Sequence, residues 1–301
     1  MKKALIFGFN HYVSQFSLRG CVNDAVSVDL LLREKFEYQT KLIVDELVDS
    51  QNFIATLRDL LSPEPDEVEG SRVLYYAGHG FHCYDVAPID EGDGLDELLC
   101  LPAYSYNDPA SFVVDDQIAA TLDEAAAWAP WLKVFVVLDS CHSGTAIHGI
   151  QPGWTTVEAL IKQVFKVQSP LEVKMKIDDP RLALAAVARE AQVPIEDIVW
   201  AEQFAPSPIA NDVGGLSAVA SRGASLQLLL SGCSQNQTCK ELVLEGTYHG
   251  IFSYFLCQLA TEDPNITWAD LKVALNKNIS PSFDQNPQLE GPDSMLSASI
   301  F

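Results

Sequence analysis

Apolar residues along this chain gather in short unbroken runs, separated by longer amphipathic stretches. The runs are KALIFGF ending at Phe9, KLIV (41–44), RVLYYAG (72–78), KVFVVLD (133–139) and SLQLLLSG (225–232), with a weaker SASIF at 297–301. They are rich in β-branched and aromatic residues, and continuous runs of this length predict strands buried on both faces. Between them, apolar residues recur at three- and four-residue spacing over 22–35, 51–61, 116–128, 249–261 and 267–278. That period predicts helices, with Asp116 and Thr267 as expected caps. Strands alternating with helices predict an α/β fold, a doubly wound and mostly parallel sheet of six strands flanked by helices.

In such sheets sites form beyond the carboxyl ends of the strands. The third run ends in YYAGHG, which puts His79 just past a strand. The fourth ends in LDSCHSG, which puts Cys141 and His142 in the same position, and the fifth ends in SGCSQNQT. Neighbouring strand ends would bring His79 and Cys141 together across 62 positions of sequence.

One segment breaks the alternation. Residues 146–224 contain six prolines, one expected helix at 179–191 and the small-residue tract NDVGGLSAVASRGAS, but no clear strand. Loops beyond about 15 residues are functional or disordered more often than not. The chain therefore reads as one domain in three parts: 1–145, an insertion or regulatory segment at 146–224, and 225–301.

Composition narrows the function. The chain has 301 residues and a formal charge of -22, which argues against a nucleic-acid reader and favours cationic partners. Seven cysteines with no secretory signal predict reduced thiols in a cytoplasmic protein. No apolar stretch approaches the roughly 20 residues a membrane span requires, so no membrane partner is expected.

A cysteine nucleophile needs a nearby base and donors for the oxyanion formed on the attacked carbonyl. Cys141 follows a strand end. His79 lies between Gly78 and Gly80, which would let the backbone turn sharply and come close to a substrate. The amides of Gly80 and Cys141 are natural oxyanion donors. A solitary cysteine is more often a small buried hydrophobe, the reading taken for Cys83, Cys100, Cys233, Cys239 and Cys257. His11, His82 and His249 read as structural. No CxxC or HxxxH spacing supports a zinc site.

YYAGHG followed by DSCHSG resembles the His and Cys boxes of the metacaspases, in the caspase-like clan of cysteine peptidases. KALIFGFNHY with LRGCVNDA resembles that family's first strand and helix, and DGLDELLCLPAY with VVDDQI its acidic loop. LLLSGCSQNQT, GIFSYFLCQL, TWADL and NPQLEG resemble the small-subunit portion. The resemblance implies a cysteine endopeptidase with a His79–Cys141 dyad, acting on proteins or peptides after Arg or Lys. It implies a specificity pocket formed by Asp24 and Asp139, with Cys21 lining it. Two carboxylates in a cleft suit a guanidinium, which they can bind bidentately. For Asp24 the alternative is a charge in the first turn of a helix. The family often has Ser where this chain has Ala77.

The resemblance requires no cofactor but brings calcium as a candidate metal. No Lys or Arg interrupts 73–132, a window rich in Asp and Glu. By the family pattern the ligands would be Asp96, Asp115 and Asp116, while the fourth expected carboxylate falls near His148. A solvated acidic loop with capping aspartates is the alternative. A second function class is a catalytically silent caspase-like module that binds or regulates. A nucleotide-binding domain would need a GxGxxG or GxxxxGK that the chain lacks. Cleavage within 146–224, by the enzyme itself or by an upstream protease, is the expected activation step, with Arg222 in SRGAS a suitable bond.

Overall fold

A computed structural model describes residues 1–13, 17–84, 95–105, 108–140, 226–234, 237–244 and 246–301. The expected insertion at 146–224 lies outside the described residues, as does Cys141. The main sheet takes β1 (Lys2–Gly8), β2 (Gln39–Val44), β3 (Gly70–Ala77), β7 (Leu132–Asp139), β8 (Gln227–Ser231) and β11 (Gln288–Glu290), in the order β11-β8-β7-β3-β1-β2. The five strands from β8 to β2 are mutually parallel, and β11 is antiparallel on the edge.

The apolar runs are unbroken because both faces of this sheet are covered. Helix α1 (Cys21–Phe36) and helix α2 (Ser50–Leu61) follow β1 and β2. Phe7 of β1 stacks on Phe53 of α2 with centroids 4.5 Å apart. Its neighbour Gly8 lies so close to α1 that a Cβ there would sit 2.5 Å from the Ala25 Cβ. Successive strand residues point to opposite faces, so the two helices cover opposite sides of the sheet. Helix α3 (Asp115–Trp128) packs with α2, while α4 (Ile251–Glu262) packs with α1 and with α5 (Trp268–Ile279). A short α6 (Asp293–Leu296) follows β11.

Two smaller sheets were not expected from the sequence. β4 (Gly80–Tyr84), β5 (Leu95–Cys100) and β6 (Phe112–Val114) form an antiparallel sheet at the end of β3. β9 (Glu241–Leu244) and β10 (Thr247–Gly250) form a hairpin that delivers the chain to α4.

Two expectations need correcting. The closing run SASIF is not a ladder strand: Thr267 and Ser299 make one isolated bridge, and the sixth strand is β11. The apolar character of that run serves side-chain packing instead, for Phe301 meets Phe36, Phe135 and Trp268 edge-on. Asp116 is not the cap of α3, which starts one residue earlier. There the Gln117 side chain reaches back to accept from the Val114 amide at 3.1 Å. Thr267 does cap α5, accepting from the Asp270 amide at 3.1 Å.

Candidate active site

Ala77 and Asp139, the last residues of β3 and β7, are partners in the parallel register. The site grows from these two adjacent strand ends. His79 follows β3 by two residues and is partly exposed. Its backbone is pinned on both sides: its amide donates to the Tyr12 hydroxyl at 2.9 Å, and its carbonyl accepts from the Cys100 amide at 3.0 Å and from the Tyr76 hydroxyl at 2.8 Å. The Tyr12 ring lies against the imidazole, with centroids 4.7 Å apart. Burial pushes both tyrosines well above their usual pKa, so both hydroxyls stay protonated.

This arrangement gives Gly78 a different role from the one expected. Neither Gly78 nor Gly80 has positive φ. A Cβ on Gly78 would lie 2.5 Å from the hydroxyl oxygens of both Tyr12 and Tyr76. The residue is small so that two phenols can approach and hold the loop carrying His79. Gly80 is buried and opens β4 opposite Leu99.

Asp24 and Asp139 are both wholly buried. Asp24 stands in the first turn of α1, yet the N-terminus of that helix has no side-chain cap from its own chain segment. Glu241 accepts from the amides leading into the helix, Arg19 N at 3.1 Å and Gly20 N at 3.0 Å, and Asn10 Oδ1 accepts from the Val22 amide in its first turn at 3.3 Å. Asp24 turns toward the β10–α4 junction. There its Oδ2 accepts from the Gly250 amide at 2.8 Å, and its Oδ1 lies 2.9 Å from His249 Nδ1. Asp139 Oδ2 accepts from Ser253 Oγ at 2.5 Å, and that hydroxyl is 2.6 Å from the Tyr75 hydroxyl. A Cβ on Gly250 would stand 2.3 Å from Asp139 Oδ2 and 2.9 Å from Asp24 Oδ2. Both carboxylates therefore converge on the small space that Gly250 leaves open.

The other expected pocket residues lie close by in the fold. Cys21, the first residue of α1, is buried with its thiol 3.5 Å from Glu241 Oε1. Ala77 is wholly buried. Sequence reasoning missed His249, Gly250, Ser253, Tyr12 and Tyr76. His249, expected to be structural, faces Asp24 across the fold. No local signal could have found it, since 225 positions separate the two.

The expected calcium ligands are partly placed. Asp115 and Asp116 share the first turn of α3, with Asp115 buried. Asp96 belongs to β5, whose Leu98 pairs with Val114 at the start of that helix. Among the described residues, no group of three or more His, Cys, Asp and Glu side chains is arranged to hold a metal ion. Also among the described residues, no helix is long and apolar enough to cross a membrane.

A parallel sheet with one antiparallel edge, flanked by helices, with Asp139 at the end of one strand and His79 just past the end of its neighbour, defines a caspase-like α/β domain. The chain belongs to the caspase-domain family, peptidase family C14, whose model matches residues 1–296. Among curated proteins it is similar to metacaspase-1 of Schizosaccharomyces pombe, with 23% identity over 96% of this chain and 66% of the relative. It is likewise similar to metacaspase-1 of Yarrowia lipolytica, with 27% identity over 96% of this chain and 61% of the relative. The chain thus spans roughly two thirds of the length of these relatives. Among solved structures, it resembles a Geobacter sulfurreducens protein at TM-score 0.59 and 21% identity, covering 100% of this chain and 98% of that one. Caspase-1 from Spodoptera frugiperda aligns at TM-score 0.51 and 11% identity, covering 99% and 88%. At these identities the two structures support the fold alone.

Proposed function

We propose that the protein is a cysteine endopeptidase that cleaves after Arg or Lys. The observation that carries this reading is the convergence of Asp24 and Asp139 at the strand end that leads into Cys141. Two buried carboxylates converging beside one glycine make a site suited to a basic side chain. A substrate guanidinium or ammonium enters beside Gly250. The register supports the dyad: Ala77 and Asp139 are partners, and His79 and Cys141 each follow by two residues. In this reading His79 takes the proton of Cys141 and later returns it to the leaving amine. The thiolate attacks the carbonyl after the basic residue, with the amides of Gly80 and Cys141 holding the oxyanion. The tyrosine clamp keeps the His79 backbone in place, and Ser253 orients Asp139 while Tyr75 orients Ser253.

The reading extends to regulation. Cleavage within 146–224, at Arg222 or another basic residue, would open the cleft. Asp115 and Asp116 at the start of α3, with Asp96 in β5, would supply hard oxygen ligands for calcium. No other cofactor enters the chemistry. The test is a panel of fluorogenic peptides with Arg, Lys or Asp before the scissile bond, assayed with and without calcium, on wild type, Cys141→Ala and His79→Ala. Turnover of Arg or Lys peptides by wild type alone is expected, with Asp peptides left intact. Equal turnover by Cys141→Ala would overturn the assignment, and a rate indifferent to millimolar calcium would remove the metal.

A further inference from the structure

Cys233 and Cys239 lie on the loop between β8 and β9, wholly buried, with their Sγ atoms 3.0 Å apart. Both thiols reach the same acceptor. Cys239 Sγ is 3.1 Å and Cys233 Sγ 3.7 Å from the carbonyl oxygen of Ser140, itself wholly buried. Ser140 is the residue between Asp139 and Cys141. The loop is already held in this shape. Gln237 Oε1 accepts from Ser234 Oγ at 2.7 Å and from the Asn286 amide at 2.8 Å, while its Nε2 donates to Asp284 at 2.8 Å. Gln285 spans the same ground, donating to the Gly232 carbonyl at 2.9 Å and accepting from the Lys240 amide at 3.1 Å.

We propose that Cys233 and Cys239 form a reversible disulfide, a modification site that reports on the Asp139–Ser140 strand end. A disulfide needs an S–S distance of about 2.05 Å, so the sulfurs must close by roughly 1 Å. The pinned loop supplies the rest of the approach before reaction. Two packed small hydrophobes would fill the same volume, but they would not require two sulfurs in contact on one shared carbonyl. The oxidant is a small-molecule disulfide. One protein thiolate attacks it and releases one small thiol. The second protein thiolate then attacks the mixed disulfide and releases the other, so two protein thiol hydrogens end on the two released thiols. Because both sulfurs are buried, the reaction proceeds through local opening of the loop.

The consequence falls on Ser140. In the reduced protein Cys239 is the nearer thiol donor to its carbonyl, while the Cys233 thiol lies between that carbonyl and the Gln237 carbonyl, 3.4 Å away. Oxidation removes both hydrogens, so the buried Ser140 carbonyl loses its Cys239 donor, which is costly. The backbone one residue before Cys141 then shifts or loosens. An effect on peptidase rate rests on the function proposed above; the disulfide and the backbone response do not.

The test uses full-length Cys141→Ala protein, so that the proposed nucleophile takes no part. It is incubated with millimolar glutathione disulfide for minutes to hours, the range for uncatalysed exchange. Intact mass should fall by about 2 Da for the two hydrogens lost. Peptide mapping should place the link at Cys233–Cys239, and dithiothreitol should reverse it. In the same background Cys239→Ser, which keeps a donor for Ser140, should form no internal link. Amide exchange over residues 136–140 should quicken by roughly threefold or more in the oxidised protein. Full alkylation of both cysteines after prolonged treatment, or links to other cysteines, would overturn the site. A Cys233–Cys239 link with unchanged exchange at 136–140 would overturn the coupling to the strand end.

Discussion

At the residue scale the proposed pocket depends on what is absent as much as on what is present. Gly250 has no side chain, and the two aspartates occupy the space around the position a Cβ would take. Its amide is bonded to Asp24, so the backbone cannot retreat without breaking that bond. Gly250→Ala should displace the two carboxylates and weaken binding of benzamidine, a small aromatic cation, by at least about tenfold, equivalent to roughly 1.4 kcal/mol. Isothermal titration on Cys141→Ala and on the double variant measures this directly, and unchanged affinity would mean that the cation enters elsewhere. Asp24 and Asp139 were legible in the sequence through resemblance. What the sequence hid was their shared dependence on β10 and α4. Ser253, His249 and Gly250 lie more than a hundred residues from the aspartates they serve, and only the folded chain brings them together.

At the element scale the main sheet was readable because its physics is simple. Strands covered on both faces are apolar through their central positions, and β1, β3, β7 and β8 are buried along nearly their whole length. The smaller sheets have no such requirement. β5 begins Leu-Asp-Glu, and the β9–β10 hairpin is partly exposed, so neither shows a continuous apolar run. The edge strand β11 carries Gln288 and Glu290 for the same reason, and its three residues, each only partly buried, lack the signature of a core strand. Residues 297–301 mislead in the opposite direction, since Ile300 and Phe301 are buried without extending the sheet. Phe301→Ala should therefore cost about 3–5 kcal/mol, the usual range for emptying a buried aromatic site. Urea unfolding followed by far-ultraviolet circular dichroism provides the measurement. A loss below about 1 kcal/mol would show that the cluster with Phe36, Phe135 and Trp268 contributes little to stability.

At the scale of the whole molecule, the end of the sheet opposite the site is fastened by a buried ion pair. Arg72 Nη2 lies 2.7 Å from Glu67 Oε2, and the guanidinium also donates to the Leu60 and Met1 carbonyls. Burial alone would raise the carboxyl of Glu67. The hydrogen bonds from Arg72, with help from the Met1 amino group and the Glu64 amide, instead hold it down to about 2 from 4.5. A carboxyl depressed in the folded state adds stability above its unfolded pKa and loses it as pH falls through the folded one. Wild type should thus be more stable than Glu67→Gln at pH 7, with the gap narrowing as pH falls from 4.5 toward 2. Denaturant midpoints at pH 7 and pH 3 test this, and a gap that does not depend on pH would contradict it. The fold class was legible at this scale because length, alternation and strand-end chemistry all agree. The working arrangement of the site was legible only in part, because it joins β3, β7, α1 and α4 across the chain. The measurement that bears most directly on the central claim is covalent labelling. Wild type is treated with matched peptidyl acyloxymethyl ketones ending in Arg, norleucine or Asp, and the modified residue is mapped by mass spectrometry. The account predicts rapid labelling at Cys141 by the Arg reagent alone, lost in His79→Ala and strongly slowed in Asp139→Ala. Labelling at another cysteine, or equal rates for Arg and Asp reagents, would contradict it.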